Sequence, residues 1–154
     1  MELNPIVKEA LVVINFVDRY QKLSDEYSYD KVPSEQRLNK VDKSEIFKIL
    51  SKIGFESSYD SHERFFKIKE EKNGKYIFGF HIILRDGYVD LIWVVKENDN
   101  VLLGSPWGTY SRRLISLDYK IKHPFYGSYD DVERILNIAF EMYKDFKNAV
   151  LAQG

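Results

Sequence analysis

The stretch that decides the fold is Glu71-Lys-Asn-Gly-Lys-Tyr-Ile-Phe-Gly-Phe-His-Ile-Ile-Leu-Arg-Asp-Gly-Tyr-Val-Asp-Leu-Ile-Trp-Val-Val95. It contains Asn73-Gly74 and Asp86-Gly87, each flanked by β-branched and aromatic residues. Such pairs tolerate the positive φ angles of tight hairpin turns. A two-residue loop also fixes register. Residues 63–97 are therefore expected to form a three-strand antiparallel meander. In it Lys72 faces Lys75, Phe65 faces Ile82, Phe66 faces His81, Arg85 faces Tyr88 and Phe80 faces Trp93. One face carries Phe65, Tyr76, Phe78, Phe80, Ile82, Leu84, Val89, Leu91, Trp93 and Val95, which is a core face. The other mixes Phe66, Ile68, Ile77, Gly79, His81, Ile83, Asp90, Ile92 and Val94. A solvated sheet face is more polar than this, so a helix, a loop or a partner should cover it.

Helices are expected on both sides of the meander. Asn4 and Pro5 suit an N-cap and first helical position, and Ile6, Ala10, Val13, Ile14, Val17 and Tyr20 recur at helical spacing to about Lys22. Asp42 and Glu45 read as a capping box for a second helix that ends at Gly54. Ser128, with Asp130, Asp131 and Glu133 behind it, opens a last helix striped by Val132, Ile135, Leu136, Ala139, Tyr143, Phe146 and Val150. The polar residues 24–42 read as a long surface connection. Leu102–Gly104 and Leu114–Leu117 read as short strands separated by a loop from Ser105 to Arg113. The expectation is one α+β domain over 1–154: an antiparallel sheet of three strands plus one or two more, packed by N- and C-terminal helices.

Composition narrows the chemistry. The chain has 154 residues, 23 Lys+Arg, 24 Asp+Glu and no cysteine. Disulfides, thiolate metal sites and cysteine nucleophiles are excluded. A net charge of −1 gives no global footprint for nucleic acid or an anionic membrane. No apolar run approaches the roughly 20 residues of a membrane span. Met1-Glu2-Leu3-Asn4-Pro5 has neither the basic start nor the apolar run of a signal peptide, so a cytoplasmic location is expected.

No phosphate-binding glycine motif is present, and Gly104-Ser105-Pro106-Trp107-Gly108 does not centre its serine as a nucleophile elbow does. His62, His81 and His123 have no metal-ligand spacing, and no metal or cofactor is expected. His81 and Asp90 are diagonal on the mixed face, where a carboxylate can hold imidazole as a general base. They are the polar groups of an alternative, ligand-binding or hydrolytic reading, although a satisfied core histidine is the plainer account. No catalytic motif is found.

A surplus remains at residues 102–127, where Arg112, Arg113, Lys120 and Lys122 oppose Asp118 and are interleaved with Trp107, Tyr110, Tyr119, Phe125 and Tyr126. Aromatics and arginine are enriched at protein–protein hot spots. An acidic-aromatic cluster, Asp25, Glu26, Tyr27, Tyr29 and Asp30, complements it. Both could equally be ordinary surface, with the aromatics closing the end of the sheet.

With its hairpin run Lys75–His81 to Tyr88–Trp93 and its Ser105–Tyr110 loop, this cysteine-free chain resembles the small cytoplasmic immunity proteins that bacteria make against polymorphic and contact-dependent toxins. The resemblance implies a non-enzymatic role: binding a cognate toxin domain and occluding its active site. The expected partner-binding residues are Tyr27, Tyr29, Asp30, Trp107, Tyr110, Arg112 and Arg113. A homodimer joined through the mixed sheet face is a further expectation; nucleic acid and membrane are not expected partners.

Overall fold

The computed structural model describes residues 2–153. Helices α1 (Pro5–Val13), α2 (Phe16–Glu26) and α3 (Lys43–Ile53) precede strands β1 (Ser57–Asp60), β2 (Phe65–Ile68), β3 (Glu71–Asn73), β4 (Tyr76–Arg85), β5 (Tyr88–Glu97) and β6 (Asn100–Leu103). Helices α4 (Trp107–Leu114) and α5 (Tyr129–Leu151) follow. The sheet is antiparallel, in the order β1-β2-β4-β5-β6, with β3 also paired to β4.

The β4–β5 hairpin has the expected register, with Arg85 opposite Tyr88 and Phe80 opposite Trp93. Asp86 and Gly87 both take positive φ, 52° and 82°, as a type I′ turn requires. The first hairpin differs. Asn73 pairs with Tyr76, so the loop is Gly74-Lys75 rather than Asn73-Gly74. Gly74 alone takes positive φ (60°), which is the type II′ arrangement. The pairing then slips at Lys69-Glu70, leaving Phe66 opposite Ile82 and Lys67 opposite His81. A one-residue slip exchanges the faces of a strand. Phe66 and Ile68 therefore belong to the buried face, and Phe65 to the other.

A third two-residue turn, Asn98-Asp99, leads into β6, with Asn98 at φ 56°. Beyond β6 the far edge of β5 stays occupied: Pro106 bridges Ile92 and Phe125 bridges Tyr88.

The expected first helix is two. Asn15 adopts the left-handed conformation (φ 59°) between α1 and α2, and asparagine tolerates it better than most residues. The break re-aims the chain, so Phe16, Tyr20, Leu23 and Ser24 of α2 are buried while Val13 is 63% exposed. For α3, Asp42 Oδ1 accepts from Ser44 N at 2.9 Å. Asp42 N donates to Tyr129 Oη at 2.9 Å, which replaces the reciprocal Glu45 bond of a capping box. Gly54 ends the helix at φ 112°. Ser128 caps α5, its Oγ accepting from Asp131 N at 3.1 Å.

Residues 24–42 are shorter as a loop than expected, because α2 runs to Glu26 and a 3₁₀ turn covers Ser34–Gln36. Leu114–Leu117 is not a strand; Leu114 closes α4 and the next three residues are irregular.

The core lies on the face carrying Phe80 and Trp93. Phe140, Tyr143 and Phe146 of α5 reach it, with Trp93 stacked on Phe146 at 4.6 Å between ring centroids. Phe47 of α3 meets Phe66 edge-on at 5.6 Å. α1 packs against α5, and Arg19 of α2 pairs with Asp145 at 2.9 Å.

Candidate functional site

The expected loop from Ser105 to Arg113 is mostly helix α4, and its two faces have separate roles. Helical spacing places Trp107, Tyr110, Ser111 and Leu114 on one side, and the first three are fully buried. Trp107 lies edge-on to Phe16 (5.1 Å), Tyr20 (5.1 Å) and Trp93 (5.0 Å). Trp107 and Tyr110 are therefore core residues, and their assignment as surface anchors is corrected. An exposed pair was expected because these aromatics are interleaved with cations in a segment read as a loop. Instead Pro106 precedes the first turn, where a missing N–H costs nothing, and Thr109 Oγ1 donates to Pro106 O at 2.7 Å.

Tyr110 also completes the sheet. β6 ends at Leu103, and the Tyr110 hydroxyl accepts from Trp93 N at 3.1 Å and donates to Ser105 O at 2.7 Å. Burial pushes the Tyr110 phenol well above its ordinary pKa, so it stays protonated and able to donate. Tyr126, also counted among the loop aromatics, is likewise buried.

The outward side of α4 and its exit are different. Arg112 and Arg113 are exposed, and beyond them Ile115 is 56% and Leu117 81% exposed. The connection is then tied to α2, where Ser24 Oγ donates to Lys122 O at 2.6 Å. Three residues farther along each segment, Phe125 N donates to Tyr27 O at 2.8 Å. The acidic-aromatic cluster after α2 and the basic segment before α5 are thus brought together. Tyr29 (47% exposed) and Phe125 approach at 6.4 Å, with Lys122 Nζ 4.9 Å from the Tyr29 ring and the Arg37 guanidinium 4.1 Å from that of Phe125. Asp30 is exposed, whereas Tyr27 is half-buried against the core. Ile115, Leu117, Arg37 and the Phe125 contact escaped the sequence reading. The 107, 110, 111, 114 spacing was the available signal for the first two.

Among the described residues no helix covers the second sheet face. Ile77, Ile83, Ile92 and Val94 are half-buried, strapped by charged side chains such as Glu70 and Lys96, 3.6 Å apart. Gly79 lies beneath them; a Cβ there would stand 3.3 Å from Val94 Cβ and 3.8 Å from Glu70 Cγ. His81 and Asp90 share this face but form no hydrogen bond. His81 stacks on Phe65, not Phe66, at 4.3 Å, and partial burial, with Lys67 nearby, holds its pKa below the usual value. Asp90 Oδ1 instead lies 3.5 Å from His123 Nε2 and accepts from Leu91 N at 3.0 Å. Clefts of about 190 to 640 Å³ lie around α3, β1 and the hairpin turns, and neither His81 nor Asp90 lines any of them.

Among the described residues no group of three or more His, Asp or Glu side chains is placed to hold a metal ion, and no helix is long and apolar enough to cross a membrane. No protein-family model, curated protein or solved structure matches the chain. What the arrangement offers chemically is contact area: aliphatic side chains beside guanidinium groups at the exit of α4, and a cation–aromatic cluster where that segment meets α2.

Proposed function

We propose that this is a non-enzymatic binding protein that captures another folded protein, and that its partner is a toxin domain which it neutralises as an immunity protein. The observation that carries the binding role is the exposure of Leu117 and Ile115 within five residues of Arg112 and Arg113. Apart from Val12, Val13, Val101 and Tyr29, the other large apolar side chains are buried or half-buried. An apolar pair rimmed by guanidinium groups suits a partner whose docking site is an apolar depression with acidic edges. Arginine supplies bidentate bonds to carboxylates there, and the aliphatic pair supplies desolvated area. Tyr29, exposed next to Asp30 and approached by Lys122, is a further amphipathic side chain with one wet end. The role belongs in the cytoplasm, where the toxin would act.

The test is direct. The genes beside this reading frame are searched for a toxin domain, and any such domain is co-purified with the chain and titrated calorimetrically against it. The double variant Arg112→Glu/Leu117→Asp is expected to keep its circular dichroism and melting transition while affinity falls roughly a hundredfold. Unchanged affinity would remove this surface from the role. A neighbouring toxin domain that neither binds nor is inhibited would remove the immunity assignment itself.

A further inference from the structure

A cleft of about 280 Å³ lies between the segment leading into α3 and the turns at the ends of β1–β2 and β4–β5. Its lining includes Lys40, Lys43, Arg64 and Arg85 against one carboxylate, Asp86. Tyr59, Phe66, Leu84 and Val41 supply the apolar part of its wall. The clefts around α3 and β1 that hold charged residues otherwise mix the signs or carry acid alone, as with Lys67, Lys69, Glu56 and Glu70 beside β2. We propose that this cleft is a binding site for a small phosphorylated molecule, a phosphate monoester whose apolar or planar body rests against the Tyr59 side.

The charge balance is the first argument. Among the described residues none of these four cations forms an ion pair; other cations of the chain are unpaired as well, such as Arg112 and Lys120, and what sets these four apart is that they line one concavity with a single carboxylate. A chain of net charge −1 has carboxylates enough to pair them. Gathering unpaired cations in one concavity raises the local potential and favours a multiply charged anion over a single carboxylate. Arginine and lysine together give bidentate donors and a point charge, the usual equipment for phosphate.

The second argument is how the cations are held. Lys43 Nζ lies 4.2 Å from the Tyr59 ring centroid, which fixes the ammonium over the apolar wall. Arg64 occupies a left-handed backbone conformation (φ 63°), with its N–H bonded to Asp60 O at 2.6 Å. A long side chain is disfavoured there where glycine or asparagine would be comfortable. The fold thus keeps an arginine at a strained turn that opens on the cleft.

The experiment follows backbone amide shifts of the whole chain while phenyl phosphate, inorganic phosphate and phenol are titrated at constant ionic strength. Saturable shifts at residues 39–43, 64 and 84–86 are expected with both phosphates, tighter for phenyl phosphate, and none with phenol. Lys43→Gln/Arg64→Asn should weaken phenyl phosphate binding roughly tenfold or more. Asparagine tolerates the positive φ, so this variant keeps the turn. Lys72→Gln/Lys75→Gln, at the other hairpin, should leave binding unchanged. Shifts scattered over surface lysines, equal weakening in both double variants, or no saturation at millimolar phosphate would each overturn the assignment. Neither Arg112 nor Leu117 lines this cleft, so its failure would leave the protein-binding role standing, and the converse.

Discussion

Residues 107–110 and 112–117 are neighbours in sequence with similar credentials as a recognition patch, and the structure gives them opposite fates. Trp107 and Tyr110 enter the aromatic centre of the molecule and repair the edge of β5, whereas Arg112, Arg113, Ile115 and Leu117 are left facing outward. The difference teaches that an aromatic next to cations marks a surface only if the local backbone is irregular. In a helix the same composition sorts itself by 3.6-residue spacing into an inner and an outer stripe.

That contrast is easiest to break at its inner end. Trp107→Ala is expected to destabilise the fold by about 3–5 kcal/mol in chemical denaturation, as large-to-small changes of buried aromatics do. A cost under ~1 kcal/mol would mean that Trp107 is not a core residue. Tyr110→Phe keeps the ring but strands the buried Trp93 N–H, so a loss of about 1–3 kcal/mol is expected by the same measurement. Leu117→Ser should change stability by no more than about 0.5 kcal/mol, since little apolar surface is uncovered. If it matches Tyr110→Phe, the two halves of the segment are not distinct.

A smaller effect is expected at His81, which lies between these extremes, half-buried under Phe65. Its folded pKa is depressed, so the unfolded chain binds the proton more readily. Stability is then fully present above the unfolded value near 6.5 and declines as pH falls through and below it. His81→Phe keeps a ring under Phe65 and should flatten the melting-temperature profile between about pH 7 and 5. An unaltered profile would assign that pH dependence elsewhere.

Much of the fold could be read from local chemistry. Asp86-Gly87 set the central hairpin, Ser128 and Gly54 marked helix ends, and the β4 and β5 face was legible by alternation. The failures have physical causes. Asn73-Gly74 allows two turn types, and the slip at Lys69-Glu70 depends on pairing across strands, so the face of β2 could not be fixed locally. Asn15 breaks a helix whose apolar stripe runs on through it, which only the packing of Phe16 and Tyr20 explains. The candidate surface was half legible: charge pointed to Arg112 and Arg113, but Leu117 was hidden in an apparent strand. Lys43, Arg64 and Arg85 come together only through the fold, with nothing in their sequence spacing to announce it.

The closing of the β5 edge has a consequence for how the molecule meets others of its kind. A ten-residue central strand left open would be a template on which further chains could add. Here four residues of β6, the Tyr110 hydroxyl, Pro106 and Phe125 occupy that edge in turn. The strands left at the margins of the sheet are short: Ser57–Asp60 and Asn100–Leu103 have four residues each and Glu71–Asn73 has three. Few backbone rungs are on offer there, so association by strand addition has little to build on. The binding role proposed above would then rest on side chains, which discriminate by charge and shape.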